Sequence, residues 1–365
     1  SQTLTTRLAQ YPDIRLVGPT ALAGSVGETG AALGVSTVLE GAVVVRDEQA
    51  HVSVRLHATT TGEVLWATDD VLDRAELAGF EAEARWAQEI AARLGDATGL
   101  VVRQRLAGPP PDEPQLAARL AFCSYVDRGT LDAVDEAVTA LDTAIDGGAR
   151  TPVLLAMRAA VANACVQYGV GDKQVELERA ASLAREALTL DGSNAHAHLV
   201  LGSVARDHRQ WQLAIEHAET AARLAAYQPS YLVGAGITAT GAGAWERGAE
   251  LIREGHRLHP GLAGHTHAWL AVNHLVHADH ARALAESSLL PSGGGFVWGP
   301  LYRAMALAGL GRIEQASAEL EQARAMRPEI VQDPAAYFDG RMRLTDEQLG
   351  HLVALVAAAG EALHA

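Results

Sequence analysis

The hydrophobic pattern of this chain changes period near residue 105. Before that point helical and strand periods are interleaved. Leu4, Leu8 and Tyr11 recur at helical spacing, IRLVG (14–18) is a short apolar run, and VGETGAALG (26–34) reads as a weak helix. TVLEGAVVVR (37–46) predicts a strand. HVSVRLHA (51–58) alternates, with Val52, Val54, Leu56 and Ala58 on one face and His51, Ser53, Arg55 and His57 on the other. TTTGE (59–63) supplies a turn, and EVLWATDDV (63–71) a third strand anchored by Trp66. Short turns between three strands imply an antiparallel meander. From Ala75 to Leu94 the pattern is helical again, with Phe80, Trp86, Ile90 and Leu94 as candidate core contacts. GPPPDEP (108–114) then breaks any helix, because proline lacks a backbone donor and disfavours helix in the residue before it.

Beyond residue 115 the chain repeats itself. Gly236, Gly243, Gly248, Gly255 and Pro260 recur 68 residues later as Ala304, Gly311, Ala316, Ala323 and Pro328. Gly202, Arg209, Ala214 and Ala221 fall 34 residues before the first four of these. A period of 34 with small residues at fixed offsets is the tetratricopeptide signature. Two antiparallel helices approach closely only where one offers Gly or Ala, and a glycine between them lets the chain reverse. Earlier pairs are looser. Ala137, Leu141 and Ala144 hold second-helix phase in one, Ala180, Ala184 and Ala187 in the next. Six helical pairs result, and Thr345 with Gln348 can form a capping box at the start of a closing helix.

The stretch VLEGAVVVRDEQAHVSVRLHATTTGEVLWATDD resembles the TolB-like amino-terminal domain that precedes tetratricopeptide repeats in bacterial class III adenylate/guanylate cyclases and CadC-like winged-helix regulators. The matching residues are Leu39-Glu40-Gly41, Val52 to Leu56, Thr61-Gly62-Glu63 and Leu65-Trp66. LTTRLAQYPDIRLVGPT (4–20) matches the family's preceding helix and strand, and YFDGRMRLTDEQLGHLVALVAAAG the segment closing such arrays. Two features depart from the family. A strand ending in Pro-Phe before the first helix is missing, and so is the upstream catalytic or DNA-binding module. The chain starts at Ser1 inside a helical pattern and reads as a fragment or a processed chain.

These patterns predict an α+β amino-terminal domain (1–105), a Pro-rich linker (106–114), an all-α tetratricopeptide solenoid of about six pairs (115–330) and a carboxy-terminal capping helix (331–365). The formal net charge of −15 argues against gripping nucleic acid or an anionic membrane. No apolar run reaches the roughly 18 residues of a membrane span. A cytoplasmic location is expected, or an extracytoplasmic one if a membrane span precedes the fragment. Cys123 and Cys165 lack zinc-binding spacing and read as small buried hydrophobes.

Candidate chemistry is sparse. HTHAWLAVNHLVHADH (265–280) contains five histidines among sixteen residues. In repeat phase His267, His274 and His280 replace packing aromatics, His265 faces the groove, and His277 lies in the turn. A metal-dependent enzyme using this cluster is one alternative, and a pH-sensitive cluster another. GSVGETG (24–30) lacks the ending of a phosphate loop. Asp69-Asp70, with Asp73 and Glu76, forms an acidic edge that reads as a solvated face. No catalytic motif occurs, so the chain reads as non-catalytic and needs no cofactor. The expected role is a regulatory or protein-interaction region that binds a partner peptide or protein in the repeat groove. Its wall is drawn by His196, Leu199, Arg206, Ser230, Ile237, His265, Val272, Trp298, Leu301 and Met305. The rival arrangement is a groove filled by the chain's own tail or by a second copy in a homodimer. A small-molecule sensor with a site between the two domains is a further alternative.

Overall fold

The structure is a computed structural model that describes residues 2–11, 14, 16–18, 24–46, 49–73, 80–96, 99–106, 112–262, 264–290 and 297–360. The chain divides into two compact units, 1–111 and 112–365. The expected linker prolines Pro109 to Pro111 lie outside the described residues, as do Glu76 and the side chains of Asp73 and Phe80.

Unit 1 is built on a meander of β1 (Thr37–Arg46), β2 (Gln49–Ala58) and β3 (Val64–Asp73), antiparallel and in the order β1-β2-β3. The alternation of β2 sorts its side chains as its sequence dictates. Val52, Val54, Leu56 and Ala58 are buried, whereas His51 and Arg55 face water. His57 departs from this: it is buried, with Nε2 3.3 Å from Glu40 Oε2 on β1. Val54 and Leu56 pack against Leu8 of α1 (Gln2–Leu8), Tyr11, and Ile90, Ala91 and Leu94 of α3 (Phe80–Gly95). Trp66 lies at the margin of this core and is only half-buried. The indole Nε1–H of Trp86 donates to Asp70 Oδ2 at 2.7 Å, so one carboxylate of the acidic edge is a packing partner. Residues 16–18 of IRLVG are irregular, not a strand. GSVGETG opens α2 (Val26–Leu33) with a capping box: Glu28 N–H donates to Ser25 Oγ at 3.3 Å and Ser25 N–H to Glu28 Oε2 at 2.8 Å. A short α4 (Leu100–Leu106) follows.

Among the described residues unit 2 is a stack of six helical hairpins. They are α5/α6 (Pro114–Arg128, Leu131–Asp146), α7/α8 (Pro152–Tyr168, Lys173–Leu190), α9/α10 (Ala195–Asp207, Trp211–Leu224), α11/α12 (Pro229–Gly241, Trp245–Leu258), α13/α14 (His267–Val276, His280–Ser288) and α15/α16 (Trp298–Gly309, Ile313–Met326). The 34-residue period marks the places where helices cross. A Cβ on Gly236 would lie 2.6 Å from Gly248 O, and one on Gly255 would lie 2.9 Å from Pro229 O. Ala214, Ala221, Ala304, Ala316 and Ala323 occupy equivalent crossings and are wholly buried. The intra-hairpin turns need a left-handed residue. Gly129, Gly243 and Gly311 supply it, but Arg209 (φ 58°) and Ala278 (φ 57°) do so without glycine's freedom. Cys123 and Cys165 are buried thiols. Among the described residues no helix is long and apolar enough to cross a membrane.

The tail closes the stack. Two short helices, α17 (Pro328–Gln332) and α18 (Pro334–Asp339), lead to α19 (Asp346–Gly360). α19 starts on the expected capping box, with Gln348 N–H donating to Thr345 Oγ1 at 3.2 Å and Thr345 N–H to Gln348 Oε1 at 2.9 Å. It packs on α15 and α16 as a further hairpin would.

Candidate functional site: the inner wall of the repeat array

Successive first helices touch one another along the stack, from α5 to α15, and each second helix touches the first helix of the next hairpin. The first helices therefore form the inner, tighter wall. Curvature is strong enough that Phe122 of α5 reaches His196 of α9 across the intervening hairpin, with ring centroids 5.2 Å apart. His196 lies between Phe122 and Tyr231, the latter 5.4 Å away on α11. Burial among these rings drives its pKa down from 6.5 to about 4, so the imidazole is neutral at physiological pH.

Nine of the ten residues expected to draw the groove fall into two sets, and Trp298 stands between them. His196, Leu199, Arg206, Ser230, Ile237 and His265 are half-buried, with part of each side chain open to solvent. Leu199 leans over Gly234 on the neighbouring helix, where a Cβ would lie 3.2 Å from Leu199 Cδ1. Ile237 packs beside Trp269, Ile252 and Leu270. Beneath this part of the wall runs a polar line. Asn163 Nδ2 donates to Ser203 Oγ at 3.0 Å, Arg206 Nη2 donates to the same oxygen at 3.3 Å, and Asn163 Oδ1 is buried without a hydrogen bond. Val272, Leu301 and Met305 form the second set. They are buried at 1%, 0% and 0% exposure, because Phe338 and Met342 of the tail enter the same apolar cluster. Trp298 is half-buried, and its indole N–H donates to the Tyr337 hydroxyl.

The inner wall is thus split. Its carboxy-terminal half is filled by residues 333–344, and the part built from α9 and α11, with His265 just before α13, carries the part-exposed side chains. The filling segment is tied back along the stack. Arg343 N–H donates to Gly241 O at 2.8 Å, and Arg209 donates to Asp339 Oδ2 at 2.6 Å. Sequence reasoning missed Tyr231, Trp269, Phe338, Arg341 and Met342. Tyr231 and Trp269 sit one residue past groove positions, a signal that was available. The tail residues gave none, since their partners lie far away along the chain.

The histidines of 265–280 do not converge. His274 is buried in α13, while His277 at the end of that helix is exposed. His280 opens α14, stacked 5.5 Å from His351 of α19. His267 Nδ1 lies 2.7 Å from Glu286 Oε2, and its ring centroid lies 4.3 Å from that of His256 on α12. Burial lowers the pKa of His256 to about 4, with the nearby His267 adding to the shift. A further pair, His198 and His217, brings two Nδ1 atoms to 2.9 Å, so one ring donates to the other. Among the described residues no three His, Cys, Asp or Glu side chains are placed to hold a metal ion. His267 and His280 thus pack against rings from other helices.

No protein-family profile matches this chain, and no curated protein matches it. Solved structures do. YrrB, a TPR protein with an unusual peptide-binding site, is 17% identical over 55% of this chain and 98% of its own, with a TM-score of 0.37. A tetratricopeptide repeat protein from Parabacteroides merdae is 13% identical over 78% of this chain and 96% of its own, with a TM-score of 0.40. The APC/C hetero-tetramer Cut9-Hcn1 gives 12% identity over 78% of this chain and 61% of that one, with a TM-score of 0.47.

Proposed function

We propose that unit 2 captures an extended or helical segment of a protein partner on the open half of its inner wall. The observation that carries this reading is the split itself. The repeat surface follows one design throughout, yet among the described residues the chain's own apolar side chains cover one half of it. Leu199 and Ile237 offer apolar contact, while Arg206 and Ser230 offer polar anchors. Such a mixture suits peptide recognition, in which a few buried anchors carry most of the affinity. The resemblance of unit 1 to TolB-like domains supports a setting in a bacterial signalling or regulatory protein. There, partner capture would be passed to an effector module outside this chain.

The test is display panning of random peptides against the full chain, with a Leu199→Asp/Ile237→Asp protein as the counter-target. Peptides are expected that bind the unaltered protein and bind the double variant at least about tenfold more weakly, since each change sets a charge against an apolar anchor. Failure to enrich any peptide that distinguishes the two proteins would overturn the reading.

A further inference from the structure

The filled and open halves of the wall meet at Gly241, whose carbonyl accepts from Arg343 N–H of the tail at 2.8 Å and whose Cβ position lies 2.7 Å from Arg206 Cδ, and an arginine stands on each side. Arg206 comes from α9 and Arg341 from the tail. The Arg206 guanidinium lies over the indole of Trp269, 5.8 Å from the ring centroid. That of Arg341 lies over Trp298 at 5.2 Å and over Tyr337 at 5.1 Å. Stacking on rings fixes the plane of a guanidinium and leaves its edge to donate; Arg206 gives one of these donors to Ser203 Oγ. Gly241 makes room for the first: a Cβ there would lie 2.7 Å from Arg206 Cδ and 3.5 Å from Trp269 Cζ3.

The charges here do not balance locally. The Arg341 guanidinium has ring contacts only, with no hydrogen bond or ion pair among the described residues. Among the described residues Arg206 has one carboxylate within 4 Å, that of its own neighbour Asp207, at 3.6 Å, beyond a good charge-assisted hydrogen bond. Asp339, two residues before Arg341 in the tail, pairs with Arg209. Burial holds the Arg206 guanidinium below its ordinary value; Asp207 opposes that shift and the field of Arg341 adds to it. Two guanidiniums therefore face one carboxylate, in a chain whose net charge is −15. Like charges brought together on rigid ring platforms cost stability unless an anion joins them.

We infer that Arg206 and Arg341 form an oxyanion site where the array meets its own tail, and that the partner segment presents a carboxylate or phosphoryl side chain to it. This rests on the peptide-capture reading above and narrows its partner to an acidic segment. The tail thereby acts as part of the binding surface, since it supplies one of the two cations. The overall negative charge of the protein disfavours a polyanion such as nucleic acid, whereas one or two acidic side chains meet a local excess of positive charge.

The experiment uses immobilised decapeptides, randomised except for one central position held as Glu, phosphoserine, Gln, Ser or Lys. Full-length protein is compared with R206M and R341M, which keep the apolar stems, and melting curves verify that both variants fold. The unaltered protein is expected to be retained about tenfold or more on Glu or phosphoserine arrays relative to Gln or Ser. Each variant should lose that preference, read as the ratio of retention on Glu or phosphoserine arrays to retention on Gln or Ser arrays. Raising sodium chloride from 0.15 to 0.5 M should weaken the preference. Equal retention on Glu, phosphoserine and their neutral counterparts overturns the inference and leaves peptide capture standing. So does a preference that survives both substitutions. No retention on any array overturns both.

Discussion

Gly248 lies where α12 crosses α11, and adding one methyl group there sets two effects against each other. In a helix interior alanine is favoured over glycine by about 0.8–1.0 kcal/mol. The new Cβ, however, would lie 2.7 Å from Gly236 O and 2.7 Å from Thr240 N, with the Thr240 hydroxyl also in its way. Backbone atoms of a packed helix cannot rotate aside, so the hairpin has to open. Overpacking of this kind costs about 1–3 kcal/mol, and the upper end applies where backbone is struck. Gly248→Ala should therefore be destabilising by about 2 kcal/mol net. Gly350, inside α19, has nothing within 4 Å of its Cβ position. There the same change keeps only the helix term and should stabilise by about 1 kcal/mol. Melting followed by circular dichroism at 222 nm reads the pair, with roughly 2–4 °C expected per kcal/mol for an array of this size. A Gly248→Ala protein that melts at or above the unaltered one would refute close helix approach as the reason for the small residues.

Phe338 is wholly buried against the inner wall, so Phe338→Ala should cost about 3–5 kcal/mol and raise binding of a hydrophobic dye as Leu301 and Met305 are uncovered. A melting shift under a degree would contradict the filling of that half. His196 and His256 both have pKa values lowered from 6.5 to about 4 by burial. The unfolded chain takes up protons below about pH 6.5 that the folded chain refuses. Stability is then full above that pH and falls towards pH 4, by up to roughly 1.4 kcal/mol per unit for each histidine. Urea midpoints at pH 7.5, 5.5 and 4.5 should show the decline, and His196→Phe should flatten it. Ala278 adopts φ 57°, so Ala278→Gly should stabilise by about 0.5–1 kcal/mol, relief of the left-handed strain outweighing lost chain stiffness. An unchanged or lowered urea midpoint would count against that strain.

Much of this architecture was written in local spacing. The alternation in β2 placed Val52, Val54, Leu56 and Ala58 in the core because a strand's side-chain period is two. The 34-residue recurrence of Gly202, Gly236 and Ala304 located the helix crossings because only small side chains fit there. Trp66 shows where local pattern stops informing: an aromatic in an alternating strand can sit at the rim of the core, and this one does. The site was harder to see. Phe338 and Met342 cover Leu301 and Met305 through a return of the chain that no periodicity records. His280 looks like a member of a histidine cluster, yet its ring partner is His351. Arg209 stands where the repeat phase otherwise places glycine, and its side chain is held by Asp339. Such pairings arise from the path of the whole array, so they become legible only in three dimensions.

Stacked repeats interact mainly with their immediate neighbours and can unzip from either end with little effect on the rest. The Arg209–Asp339 pair spans 130 positions along the chain and fastens the last part of this stack to its third hairpin. Fraying of the final hairpins then breaks this exposed pair, worth little by itself, together with the Arg343 N–H to Gly241 O bond beside it. The terminal hairpins gain cooperativity with the middle of the array, at the cost of closing a long loop during folding.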